Sequence, residues 1–155
     1  MIADSVKEDA KTTLQYLKEK CKAVLVMLTG DTKSSSLEVA RKLKIDYAYA
    51  ELMPEDKLEQ LEDFLDLQDS TERLVCVGDG INDAPVLARA DVGIAMGALG
   101  SAAAIEAADI ILMEDELPRI VDAIKIAKET LRVVSQNISF ALIVKVLILI
   151  LATIG

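Results

Sequence analysis

The chain has 155 residues, enough for one ordinary domain, and 52% of them are hydrophobic, ample for a core. Its 17 basic residues stand against 26 acidic ones, and the formal charge of -9 repels phosphate backbones and argues against a nucleic-acid partner. Histidine is absent, so chemistry falls to carboxylates, Lys, Ser/Thr, Cys or a bound metal.

The N-terminal stretch MIADSVKEDAK lacks the apolar run of a signal peptide. Val6, Ala10, Leu14 and Leu17 mark one face of a first helix, and Ala23 to Leu28 is a continuous apolar run of the kind that forms a buried parallel strand. A helix from Ser35 to Leu43 leads to a short strand, Tyr47 to Ala50. Pro54 then opens a third helix at the position proline favours, with Leu58, Leu61 and Leu65 on its buried face. Three more strands are predicted at Leu74 to Val77, Val92 to Met96 and Ile110 to Met113, separated by short Ala-rich helices. Repeated βα units of this kind predict a doubly wound α/β fold whose ligands sit at the carboxyl ends of its strands. Cys21 and Cys76 form no CxxC pair and read as free thiols in a reducing compartment.

From Ile138 the sequence runs ISFALIVKVLILILATIG, with Lys145 as its one charge. About twelve strongly apolar residues at roughly -0.3 to -0.6 kcal/mol each outweigh one lysine at about +2.5 to +3.5 kcal/mol, so the segment prefers a bilayer to water. Lys125, Lys128 and Arg132 lie just before it and place the preceding residues on the cytoplasmic side. The expected division is therefore 1–132 as a cytoplasmic domain and 133–155 as a transmembrane helix. The competing reading is a buried helix of a soluble protein.

The unusual polar residues fall at predicted strand ends. Thr29, Gly30 and Asp31 follow the first strand, where a hydroxyl and free N–H groups ahead of a helix suit an anion, although a plain turn with an Asp cap has the same composition. In VCVGDGINDAP, Asp79, Asn82 and Asp83 supply hard oxygen ligands within a five-residue reach, as Mg²⁺ requires, and Gly78 and Gly80 let the backbone approach a phosphorylated side chain. The GxG here has no third glycine at dinucleotide spacing. Lys57 occupies a first helical turn, where the macrodipole disfavours a cation unless an anion awaits it. A Thr, a Lys and a carboxylate pair at adjacent strand ends describe a Mg²⁺-phosphoryl pocket.

The strings MLTGD, AELMPEDK, GDGINDAPVLARADVGIAMG and EAADIILM, in this order, resemble the phosphorylation domain of heavy-metal-transporting P-type ATPases, members of the haloacid dehalogenase superfamily. The resemblance covers essentially the whole chain. It implies that Thr29 and Gly30 contact the phosphoryl group, that Lys57 neutralises it and that Asp31 orders the loop. It further implies that Asn82 holds phosphoryl oxygens, that Asp79 binds Mg²⁺ and that Asp83 completes the metal and water network. Lys145, after QNISFAL, resembles the lysine of zinc, cadmium and lead exporters and marks a transport-ion pathway.

The family's nucleophile is the aspartate of a DKTGT motif, and that string does not occur among these residues; the Cys-Pro-Cys metal gate is likewise missing, and Ala102 stands where relatives commonly carry Asp. The implied fold is thus a Rossmann-like parallel sheet without its nucleophile-bearing central strand, which belongs between the strands ending at Leu28 and Val77. Four or five backbone groups on each neighbour would be left unpaired, at about 1 kcal/mol or more apiece if buried. Three outcomes are expected: a marginal domain, direct pairing of the two neighbours, or recruitment of a partner. The implied function is a share in ATP-driven export of a divalent metal through an aspartyl-phosphate. Its cofactors are Mg²⁺ and ATP, and its partners are the nucleotide-binding domain, the DKTGT segment and the other membrane helices. Alternatives are a non-catalytic, membrane-tethered partner or split-gene half, and a Mg²⁺-dependent phosphatase of the same superfamily.

Overall fold

A computed structural model describes residues 8–78, 81–97 and 102–154. The predicted helix-face residue Val6 and the predicted site residues Asp79 and Gly80 lie outside them. The chain divides into two compact units, Met1–Arg119 and Ile120–Gly155.

The first unit alternates helices and strands in the expected order: α1 (Glu8–Cys21), β1 (Val26–Leu28), α2 (Lys33–Leu43), β2 (Tyr47–Tyr49), α3 (Pro54–Leu67) and β3 (Val75–Gly78). A 3-10 turn (Ile81–Asp83) then leads into α4 (Ala84–Arg89), β4 (Val92–Met96), α5 (Ala102–Ala107) and β5 (Ile110–Leu112). The strands are parallel, but they make two sheets, β1-β2 and β3-β4-β5. The break falls between β1 and β3, where a further strand was expected to be missing. Among the described residues β1 and β3 do not pair with each other, so direct closure of the gap does not occur. Val75 and Val77 on β3 are correspondingly 52% and 39% exposed.

Strand β1 is shorter than the apolar run suggested. The Leu25 carbonyl is taken by the N–H groups of Asp46 and Tyr47, and the Leu25 N–H donates to the Asp46 carboxylate at 2.9 Å, so the ladder starts one residue later. The same device recurs in the second sheet. The Leu74 N–H donates to Asp91 at 2.8 Å and the Gly93 N–H to Asp109 at 2.9 Å. In each case an aspartate just before one strand bonds the entry of its neighbour, which pins register where a slip would exchange the two faces.

These contacts carry a pH signature. Lys18 and the Leu25 N–H hold Asp46 below its ordinary 3.8, and the Leu74 N–H and Gln68 do the same for Asp91. A carboxylate lowered on folding stabilises above its unfolded pKa, and that contribution is lost as pH falls through the folded value. Acid titration followed by circular dichroism should therefore show stability falling below about pH 4. Asp91→Ala should lower the melting temperature at neutral pH and flatten that acid limb; an unchanged limb would remove Asp91 from the register role.

The core of this unit is built from small residues. Leu87, Ala95 and Ala104 are completely buried, with Cys76, Ala107 and Ala108 packed around them. Alanines let α4 and α5 lie close on β4, and Gly93 brings the backbone of β4 directly under that of α4. On the other sheet, Tyr49 meets Phe64 of α3 edge to face at 5.8 Å.

The second unit is helical. It is formed by α6 (Pro118–Ile154), whose 37 residues reach about 55 Å at 1.5 Å each. Its most apolar 18-residue window has a mean hydropathy of 2.4 and none of it is buried, so the helix is long and apolar enough to cross a membrane. The expected membrane segment 133–155 lies wholly within this unit.

Candidate functional site

Three loops at the carboxyl ends of β1, β2 and β3 are joined into one structure. In the first, the Asp31 N–H donates to Thr29 Oγ1 at 3.1 Å and closes a tight turn. The Thr29 N–H donates to the Tyr49 carbonyl, the Leu52 N–H to the Thr29 carbonyl and the Glu51 N–H to the Asp31 carbonyl, at 2.9 to 3.1 Å. Asp31 thus orders its loop through its main chain. Gly30 lies close beneath the second loop, since a Cβ there would sit 3.3 Å from the Leu52 carbonyl oxygen.

The second loop runs directly into α3. Pro54 takes the first helical position, and the Met53 N–H donates to Asp56 Oδ2 at 2.8 Å, half of a capping box. This fixed start positions Lys57, the residue singled out as a cation at the wrong end of a helix. Its partner is Asp83. Lys57 Nζ donates to Asp83 Oδ1 at 2.8 Å across 26 residues of sequence, and the two side chains are only 18% and 20% exposed.

Asp83 closes the third loop, which begins at Gly78 on β3. The reason for glycine at 78 is local. A Cβ there would lie 2.8 Å from Asp83 Cβ, 3.2 Å from Oδ2 and 3.3 Å from Cγ, so the Asp83 side chain occupies the space a larger residue would need. Beneath them, burial first and the Asp83 charge second push the Cys76 thiol up to about 11, with Lys57 opposing. A cleft of about 480 Å³ opens beside the pair, lined among others by Val77, Gly78, Asp83, Met96 and Asp115.

Thr29, Gly30, Asp31, Lys57, Gly78 and Asp83 therefore belong to one bonded network, and Asn82 is exposed on the 3-10 turn at its edge. Lys145 lies on α6, in the other unit. Among the described residues no group of three or more His, Cys, Asp or Glu side chains is placed to hold a metal. Asp83, one of the two expected Mg²⁺ ligands, is engaged by Lys57. The described residues thus do not by themselves form a magnesium cage. Sequence reasoning missed the Lys57–Asp83 pair and the register aspartates. The latter had a legible signal, an Asp directly before the apolar run in IDYAY, ADVGI and ADIIL.

Residues 1–91 match the family described as haloacid dehalogenase-like hydrolase. The chain belongs to that family. Over its full length it is 52% identical to a cadmium, zinc and cobalt-transporting ATPase of Bacillus subtilis and 49% identical to a zinc-transporting ATPase of Synechocystis sp.. It spans 22% and 21% of those relatives. Among solved structures, a zinc-transporting PIB-type ATPase in its E2.Pi state superposes with a TM-score of 0.77 at 36% identity, over 90% of this chain and 22% of that one. In a haloacid dehalogenase-like hydrolase, strand-end loops that gather a threonine, a lysine and carboxylates are the expected place for phosphoryl chemistry, and that is where this network lies.

Proposed function

We propose that this chain is the phosphoryl-handling part of a P-type ATPase that moves divalent heavy metal of the zinc and cadmium class. The observation that supports it most is the Lys57 ammonium, held 2.8 Å from Asp83 at the end of β3, beside the loop whose GDGIND sequence follows that strand. In this reading Thr29 and Gly30 meet the phosphoryl group, Lys57 offsets its charge and Asn82 donates to its oxygens. Fixed donors of this kind act without reorganising as charge develops. The phosphorylated aspartate comes from a DKTGT strand that sits between β1 and β3 and completes one sheet. Magnesium and ATP are the cofactors that accompany the reading: Asp79 is the carboxylate left for the cation, and a nucleotide-binding domain supplies ATP. Residues 1–132 face the cytoplasm, 133–155 cross the membrane, and Lys145 lies on the path of the exported metal.

Fragment complementation tests this. The chain in detergent is mixed with a fragment carrying the DKTGT strand and the nucleotide-binding domain of a zinc-transporting relative. ATP-dependent, acid-stable phosphorylation of the added fragment is the expected result. Association without phosphorylation would assign the chain to a non-catalytic partner instead, and phosphate-ester turnover by this chain alone would make it a phosphatase.

A further inference from the structure

We infer that Asp83 is the standing counter-ion of Lys57, not a metal ligand, and that Gly78 is the positioning residue that makes the pair possible by leaving its side-chain space to Asp83. The inference rests on the proposed phosphoryl role of Lys57, but its geometry is independent of that role. Three observations converge. The pair is short, at 2.8 Å, and both side chains are about four-fifths buried, where an unpartnered ammonium or carboxylate is costly. The three atoms nearest a Cβ at Gly78 all belong to the Asp83 side chain, so the absent methyl group and the present carboxylate are two sides of one fit. Lys57 and Asp83 also sit at the starts of α3 and α4, each opened by a proline at its first or second position, so neither backbone can drift to relax the contact.

The pair has a defined role in the proposed reaction. A lysine on a flexible four-carbon stem has many rotamers to lose when it meets an anion. Asp83 removes that freedom in advance and aims the ammonium at the strand end before a phosphoryl group arrives. The ammonium has three N–H donors, so one bond to Asp83 leaves two for phosphoryl oxygens. Gly78 thus acts on Lys57 through Asp83, without touching the reacting group.

The test reads the ammonium directly. In detergent-solubilised chain, nitrogen-edited NMR should show a slowly exchanging Lys57 ammonium signal, assigned by its loss in Lys57→Met. Asp83→Asn, which keeps shape and removes charge, should abolish it while the amide spectrum stays native. Gly78→Ala should abolish it too, or fail to fold. The double variant Gly78→Ala/Asp83→Gly, in which the atoms that the new methyl group would meet are gone, should fold. A signal that survives in Asp83→Asn overturns the pair. An unshifted signal in folded Gly78→Ala, or failure of the double variant where Asp83→Gly alone folds, overturns the role of Gly78. A chain that keeps the signal yet supports no phosphorylation on complementation would refute the proposed function and leave the pair standing.

Discussion

Replacing Lys57 by methionine should cut ATP-dependent phosphorylation of the complemented enzyme by about 10²- to 10³-fold, the usual consequence of deleting one preorganised donor to a developing oxyanion. Methionine keeps most of the stem and its packing and removes the charge, so the loss isolates the ammonium. Binding of the complementing fragment should be unaffected, because Lys57 lies on α3, away from the open edges of β1 and β3. The substitution also leaves Asp83 as an uncompensated, largely buried carboxylate. Lys57→Met should therefore destabilise the chain by about 1–3 kcal/mol, and Lys57→Met/Asp83→Asn should recover part of that loss. Denaturant titration gives the stabilities and a radioactive phosphate assay gives the activity. Phosphorylation within a factor of about three of the parent would remove Lys57 from the proposed chemistry, since that is under 1 kcal/mol of barrier.

Gly93→Ala should be among the most damaging single substitutions in the first unit. Its new methyl group would collide with the carbonyl oxygen of Leu87 and lie 3.0 Å from the carbonyl carbon, and neither is a side-chain atom that can rotate away. Leu87 is itself completely buried in the core cluster, so α4 cannot lift without opening a cavity there. Overpacking against backbone costs about 3 kcal/mol or more. Domains of this size hold only about 5–15 kcal/mol in total, and this one has two open sheet edges. A fall in melting temperature of roughly 10 °C is expected by calorimetry. Gly30→Ala, whose methyl group would come no nearer than 3.3 Å to the Leu52 carbonyl oxygen, should cost far less. Equal effects from the two would mean that α4 yields where the geometry says it is held.

Much of the architecture was legible without coordinates. Strand β4 was expected at Val92–Met96 and lies there, because an aspartate before it and a glycine after it punctuate an apolar run with no ambiguity. Helix α3 starts at Pro54 as expected, since a ring that locks φ and lacks an N–H can open a helix but not extend one. Composition likewise marked the long apolar segment of α6, because hydropathy is additive along a chain. Local chemistry settles such features, and it settles them residue by residue.

The site was legible in its residue types and not in its partnerships. Nothing near Lys57 in sequence says that its counter-ion lies 26 residues away, and nothing near Gly78 says that a neighbouring aspartate fills its missing side chain. The early end of the β1 ladder depended in the same way on Asp46, a residue of the next strand's entry. The division of the strands into two sheets depended on which edges find a hydrogen-bonding neighbour. Patterns of apolar and polar residues report which way a side chain faces; which charge it meets is decided by distance in space, and only the folded backbone sets that distance.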